Sequence, residues 1–160
     1  MAKLLLVVLF AVCVVPSIVT AHIAGDSLLL QGSTYCDACR CGYETSASKP
    51  VAGAVVGLEC RSRTTSELTY SDETVTDSAG KYKFLVQSDR GDDFCDVFLS
   101  KSSDPECSEP NVGRDRARVI LTRNNGMDSN TRFANAMGFL ANTPLASCQE
   151  ILKQYQESED

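Results

Sequence analysis

Gln31-Gly32-Ser33-Thr34-Tyr35-Cys36-Asp37-Ala38-Cys39-Arg40-Cys41-Gly42-Tyr43 is the stretch on which the reading of this chain turns. Three of the eight cysteines fall within six residues here, directly after the apolar Leu28-Leu29-Leu30. Downstream, Cys60, Cys95, Cys107 and Cys148 stand singly and far apart. The cluster is a disulfide staple, a redox centre or a metal knuckle. Cys36-Asp37-Ala38-Cys39 has the C-x-x-C spacing that thioredoxin-like centres place at a helix start after a buried strand. Here the motif runs into Arg40-Cys41-Gly42 and a polar loop, with no βαβ pattern behind it. A zinc site needs a second pair at knuckle spacing or supporting histidines, and the scattered cysteines supply neither. Structural disulfides are the reading that spacing favours.

The start of the chain sets the compartment. Lys3, the apolar Leu4 to Val15 and the small-residue Val19-Thr20-Ala21 have the order of a secretory signal peptide. The apolar run is broken by Pro16 and falls short of the roughly 20 residues a bilayer span needs. We expect a signal peptide over 1–21 and one mature domain over 22–160, exported to the extracellular space or cell wall without membrane insertion. The net charge of −6 becomes one unit more negative when Lys3 leaves. So acidic a chain has no electrostatic footprint for nucleic acid or anionic membrane. Cys13 leaves with the signal, so the seven cysteines that remain leave one thiol free, modified or paired between chains. In an exported protein the others are normally bridged.

The mature chain then reads as strands at short intervals. Leu28 to Tyr35 is a first strand, and Thr45 to Pro50 a polar loop. Ala54 to Cys60 is a second strand, with Val56, Leu58 and Cys60 on one face. Leu68 to Thr76 is rich in Thr, Tyr and Val with polar residues interleaved, as in a half-exposed strand. Asp77-Ser78-Ala79-Gly80 is a turn feeding Lys81 to Gln87, where Tyr82, Phe84 and Val86 alternate with mostly polar neighbours. Phe94 to Ser100 puts Cys95, Val97 and Leu99 on one side, and Ala117 to Leu121 precedes an Asn124-Asn125-Gly126 turn. Cys148, Ile151, Leu152 and Tyr155 have the spacing of a short amphipathic helix. The fold class expected is all-β: a small antiparallel β-barrel or sandwich of about seven strands with a short C-terminal helix, stapled by disulfides.

Catalytic chemistry finds little to work with. The mature chain has one histidine, His22, at its expected N-terminus, so no serine or cysteine nucleophile has a placed base. Acidic pairs such as Asp72 with Glu73, or Asp92 with Asp93, read as solvated loop or strand residues. We expect no enzyme, no catalytic residue, no cofactor and no metal. Arg90-Gly91-Asp92 spells an adhesion tripeptide but reads as a charged hairpin loop, and no Asn-x-Ser/Thr sequon occurs in the mature chain.

The opening stretch resembles the signature of the pollen Ole e I-like family, Gly-x-Val-Tyr-Cys-Asp-x-Cys-Arg, departing from it at Thr34 and Ala38. Gly53 to Arg61, Thr76 to Tyr82, Cys107 to Glu109, Leu121 to Gly126, Arg132 to Asn135 and Pro144 to Cys148 are similar to further family blocks, in order. Arg114 to Val119 is most similar to the grass-pollen members. The resemblance implies a secreted plant protein of the pollen allergen type, with bridges Cys36–Cys107, Cys39–Cys148 and Cys60–Cys95. Cys41 stands where relatives commonly lack cysteine and is the unpaired or intermolecular thiol. It also implies a non-enzymatic role in pollen hydration, tube growth or cell-wall biology, with an extracellular protein partner such as a receptor kinase ectodomain, and IgE recognition in sensitised individuals. Loops carry binding more often than sheets do, so the Asp89–Asp93 and Ser102–Arg116 segments are the candidate contacts. A wall-associated structural or carbohydrate-binding protein, or a hydrolase inhibitor using the Cys95 to Cys107 segment, is the alternative.

Overall fold

The computed structural model describes residues 27–156, so the expected signal peptide and His22 lie outside the described residues. The strand built on the leucine run becomes the spine of the molecule. β1 (Leu28–Asp37) buries Leu28 and Leu30 on its core face, then Thr34 and Tyr35 together, so its far end is covered on both faces. Different neighbours flank its two halves. The first half pairs antiparallel with β5 (Lys81–Val86) and parallel with β9 (Thr131–Phe133). The second half pairs antiparallel with β2 (Lys49–Pro50) and parallel with β10 (Met137–Leu140), which in turn pairs with β7 (Glu109–Pro110).

A second sheet has the order β4 (Leu68–Val75), β3 (Val55–Ser62), β6 (Asp93–Lys101), β8 (Arg116–Val119), antiparallel throughout. Its inward residues are Val56, Leu58, Cys60, Cys95, Val97, Leu99, Ala117 and Val119. They join Leu28, Leu30, Tyr82, Phe84 and Val86 of the first sheet in one core cluster. Each large apolar side chain so buried contributes about 1.5–3 kcal/mol. Helix α1 (Cys148–Gln156) closes the described chain with Cys148 buried, Ile151 and Leu152 half-buried and Tyr155 exposed.

The result is an all-β, sandwich-like pair of sheets with a short C-terminal helix, and the barrel alternative is excluded because the sheets do not close. Two features depart from the expected antiparallel, seven-stranded plan. The six-stranded sheet is mixed, because β9 and β10 run parallel to β1. Parallel neighbours need a crossover, and the chain supplies it by passing through the other sheet before returning. Among the described residues ten strands form rather than about seven. The four with no counterpart among the six segments read from the sequence, β2, β7, β9 and β10, are two to four residues long, too short to show an alternating pattern.

Three cross-strand pairs set an aromatic ring on a glycine. Tyr82 lies opposite Gly32, Phe98 opposite Gly57 and Tyr35 opposite Gly138. A Cβ at Gly32 would stand 2.2 Å from the Tyr82 hydroxyl, and one at Gly57 would stand 2.3 Å from the Phe98 ring. The rings fill the space the glycines leave, which ties ring and glycine to one register.

Candidate functional site

The cysteine cluster is held by the residue between its first two cysteines. Asp37 is fully buried, and its carboxylate accepts the N–H of Cys39 at 3.1 Å and of Gly42 at 2.8 Å. These bonds curl the chain back on itself just after β1, with Arg40 (φ 53) and Gly42 (φ 88) in the left-handed region. The curl is then fixed from outside. Arg40 donates to Ala141 O at 2.6 Å and to Glu109 Oε2 at 2.9 Å, and Arg114 Nε donates to the Gly42 carbonyl at 3.0 Å.

The structure joins Cys36 to Cys107, Cys39 to Cys148 and Cys60 to Cys95. The first two leave the cluster in different directions, to the loop before β7 and to the first residue of α1. They span 71 and 109 residues, and the third spans 35 residues between facing positions of β3 and β6. Cross-links over loops of this length contribute about 4–5 kcal/mol each in the chain-entropy picture. Cys36 and Cys39 each have a distant partner, so the C-x-x-C motif is not a dithiol pair here.

Cys41 is the free cysteine among the described residues and is half-buried. Its thiol sits 3.4 Å from the Tyr43 carbonyl and 3.6 Å from Asp37 Oδ1. Burial, with the Asp37 carboxylate adding to it, pushes the thiol above the ordinary cysteine value. The nucleophilic form of cysteine is the thiolate, and this shift works against it.

The two loops singled out in the sequence differ from each other. In the Asp89–Asp93 loop, Asp89 accepts the N–H of Gly91 and Arg123 at 2.8 Å each, and the Thr122 hydroxyl at 2.9 Å. These bonds, that from Arg123 foremost, hold its carboxyl below the usual range. Arg90 folds back, its guanidinium 4.5 Å above the Tyr70 ring and 3.7 Å from Asp93. The Arg-Gly-Asp tripeptide is therefore not presented outward as a unit. The Ser102–Arg116 segment is anchored by Cys107, by Ser102 donating to the Cys107 carbonyl at 2.8 Å, and by Gly138 N–H donating to the Arg114 carbonyl at 3.0 Å. Val112 at its tip is 93% exposed.

A residue that sequence reasoning passed over is Arg132, buried on β9. It donates to the carbonyls of Ser129, Thr131 and Thr122, fastening the long connection between β8 and β9. Its place in a family-like block was visible, but a buried arginine paired with carbonyls leaves no pattern in one sequence. Among the described residues no three His, Cys, Asp or Glu side chains gather as a metal site, and no helix is long and apolar enough to cross a membrane.

Two packed sheets, three long-range disulfides and a hydrogen-bonded cysteine curl define a disulfide-stapled β-sandwich protein. Residues 26–156 match the family model described as Pollen protein Ole e 1 like, and the chain belongs to that family. It is similar to Pollen allergen Cro s 1 of Crocus sativus, 42% identical over 90% of this chain and 88% of that one. It is also similar to Pollen allergen Phl p 11 of the grass Phleum pratense, 42% identical over 82% and 92% of the two chains. Protein DOWNSTREAM OF FLC of Arabidopsis thaliana is 39% identical over 97% of this chain and 94% of its own. The crystal structure of the major plantain pollen allergen Pla l 1 matches with a TM-score of 0.69 at 30% identity, covering 76% of this chain and 99% of that one.

Proposed function

We propose that this protein is a secreted, non-enzymatic extracellular domain that acts by binding a protein partner in pollen hydration, tube growth or cell-wall biology. The observation that carries the reading is how the buried polar groups are used. Asp37, Thr34, Thr76 and Arg132 hydrogen-bond to the protein's own backbone, so they hold loops in place instead of converging on a reacting centre. Catalysis needs a nucleophile or acid–base pair in reach of a substrate atom. Burial raises the pKa of the Cys41 thiol, which disfavours the thiolate that such a nucleophile needs.

The family and the bridged cysteines support export, with cleavage near Ala21 giving a mature chain from residue 22 and residence outside the cell. A receptor kinase ectodomain is the partner class suggested by the family, and IgE recognition follows for this chain from the same kinship. The test is affinity capture from pollen and pistil membrane extracts with the folded, oxidised protein. Recovery of a receptor ectodomain that reduced protein does not capture is expected. Recovery of wall polysaccharide alone would replace this reading with the carbohydrate-binding one.

A further inference from the structure

The four-stranded sheet ends at β8, which pairs with β6 and with no strand beyond it among the described residues. Which of its backbone groups are open follows from one bond. Leu99 N–H donates to the Asp115 carbonyl at 2.9 Å, and the register places Phe98 opposite Arg116. In an antiparallel pair, bonded and non-bonded positions alternate. Ala117 and Val119 therefore bond to β6, while the N–H and C=O of Arg116 and Arg118 point away from it. Arg114 lies in the same outward series, and its carbonyl is already taken by Gly138 of β10 at 3.0 Å. The edge is occupied at Arg114 and open at the next two outward positions.

The side chains at those positions are cationic and lie on the outer face. Arg118 holds Asp96 at 2.6 Å and stacks 4.8 Å from the Phe94 ring; Arg116 lies 3.6 Å from the same Asp96 and 5.0 Å from the Phe98 ring. Arg61 reaches Glu59 at 3.5 Å, and Arg63 lies 4.6 Å from Phe94. Four arginines thus meet Glu59, Asp96 and, farther across the sheet, Glu73, so the positive excess lies at the β8 end of this face, on a chain whose net charge is −6. A groove of about 160 Å³ runs among Glu59, Arg61, Phe94, Asp96, Arg116 and Arg118, three arginines to two carboxylates.

We propose that β8 is a docking edge for an extended acidic segment of a partner protein, which adds as a fifth strand to the β4-β3-β6-β8 sheet. The added backbone takes the open N–H and C=O groups of Arg116 and Arg118. Its alternate side chains, two residues apart like Arg116 and Arg118, place carboxylates over the guanidinium groups. A second copy of this chain fits less well. Two β8 edges would set arginine against arginine, and β8 against β4 of another copy is a head-to-tail contact that does not close. The edge arginines thus discourage self-pairing and select an acidic strand. The inference rests on the reading of this protein as a partner-binding domain, and assigns the contact to the edge where the Ser102–Arg116 segment meets β8.

The test titrates the folded protein with a short capped peptide alternating glutamate and valine, read by fluorescence anisotropy and by the amide NMR signals of Arg116 and Arg118. Expected are saturable binding that weakens with salt, the largest shifts at those two amides, and about tenfold weaker binding to the Arg118→Glu variant. A peptide N-methylated at the amides that would face β8 should fail to bind the unaltered protein. Equal binding of the N-methylated peptide, or of a lysine–valine peptide, would overturn the proposal. So would binding of polygalacturonate with none of the peptide. Receptor capture that Arg118→Glu leaves untouched would overturn the edge assignment and keep the partner-binding reading. Peptide binding without receptor capture would do the reverse.

Discussion

At the scale of single residues, the signature stretch is explained by two that are not cysteines. Asp37 supplies the acceptor that Cys39 and Gly42 both need, so it aims the cysteines at their separate partners. Replacing it with Ala leaves those two N–H groups without it, and hydrogen bonds to a charged group are worth about 1.5–3 kcal/mol each. We expect Asp37→Ala to lower the urea midpoint by the equivalent of about 3–6 kcal/mol, measured on the oxidised protein. Gly32 is the other. Its missing side chain is where the Tyr82 ring lies, so Gly32→Ala should destabilise by about 1–3 kcal/mol through overpacking. Tyr82→Phe should be neutral or stabilising by about 1 kcal/mol, because the Tyr82 hydroxyl is buried without a partner. Thermal unfolding of the two single variants and the double variant reads both effects. A clearly destabilised Tyr82→Phe would mean that the hydroxyl is satisfied.

At the scale of elements, α1 is a helix attached more than it is packed. Its buried anchor is Cys148, bonded to Cys39, and its outer turn touches the cluster through Tyr155, which accepts the Ser46 N–H at 3.1 Å and meets Tyr43 edge-on at 5.8 Å. An isolated helix this short is marginal in water. The double variant Cys39→Ser with Cys148→Ser should therefore free the helix before the sheets. Hydrogen exchange at 148–156 should approach unprotected rates while β3 and β6 stay protected. Equal loss in both places would show that the bridge supports the whole sandwich. Cys41→Ser, by contrast, should shift stability by less than about 0.5 kcal/mol, with the three bridges found unchanged by non-reducing peptide mapping.

At the scale of the molecule, stability should form a dome in pH. Asp89 and Asp77 both have folded carboxyls held below the ordinary value, chiefly by backbone N–H groups of Arg123 and Lys81 respectively. A depressed folded pKa means that the unfolded chain binds the proton first. That stability is full above the unfolded value near 4 and is lost as pH falls through the folded values. Tyr82 has the opposite linkage, because burial holds its phenol well above the ordinary value. Its contribution is full below about pH 10 and is lost as the unfolded phenol ionises above that. Urea midpoints taken from pH 2 to 11 should fall at both ends, and Asp89→Asn should flatten the acid side. An unchanged acid limb in Asp89→Asn would show that the loop's carboxylate does not couple to global unfolding.

Much of this is legible in the sequence. The leucine run, the alternation of Tyr82, Phe84 and Val86, and the spacing of Cys95, Val97 and Leu99 follow from local geometry, since a strand shows its buried face at every second residue. The resemblance in the Gln31 to Tyr43 stretch pointed to the family, to which the match over residues 26–156 assigns the chain. What the tertiary structure alone decided depends on contacts between residues far apart in the chain. The parallel placement of β9 and β10 beside β1, the seating of Tyr82 on Gly32, and Arg132 on the Thr122 carbonyl are contacts of this kind. So is the open edge at Arg116 and Arg118, which read as the last residue of a loop and one charged residue of the strand after it. Strand periodicity is local and is written in one segment. Register, edges and buried partners are properties of pairs, and a single sequence lists residues without pairing them.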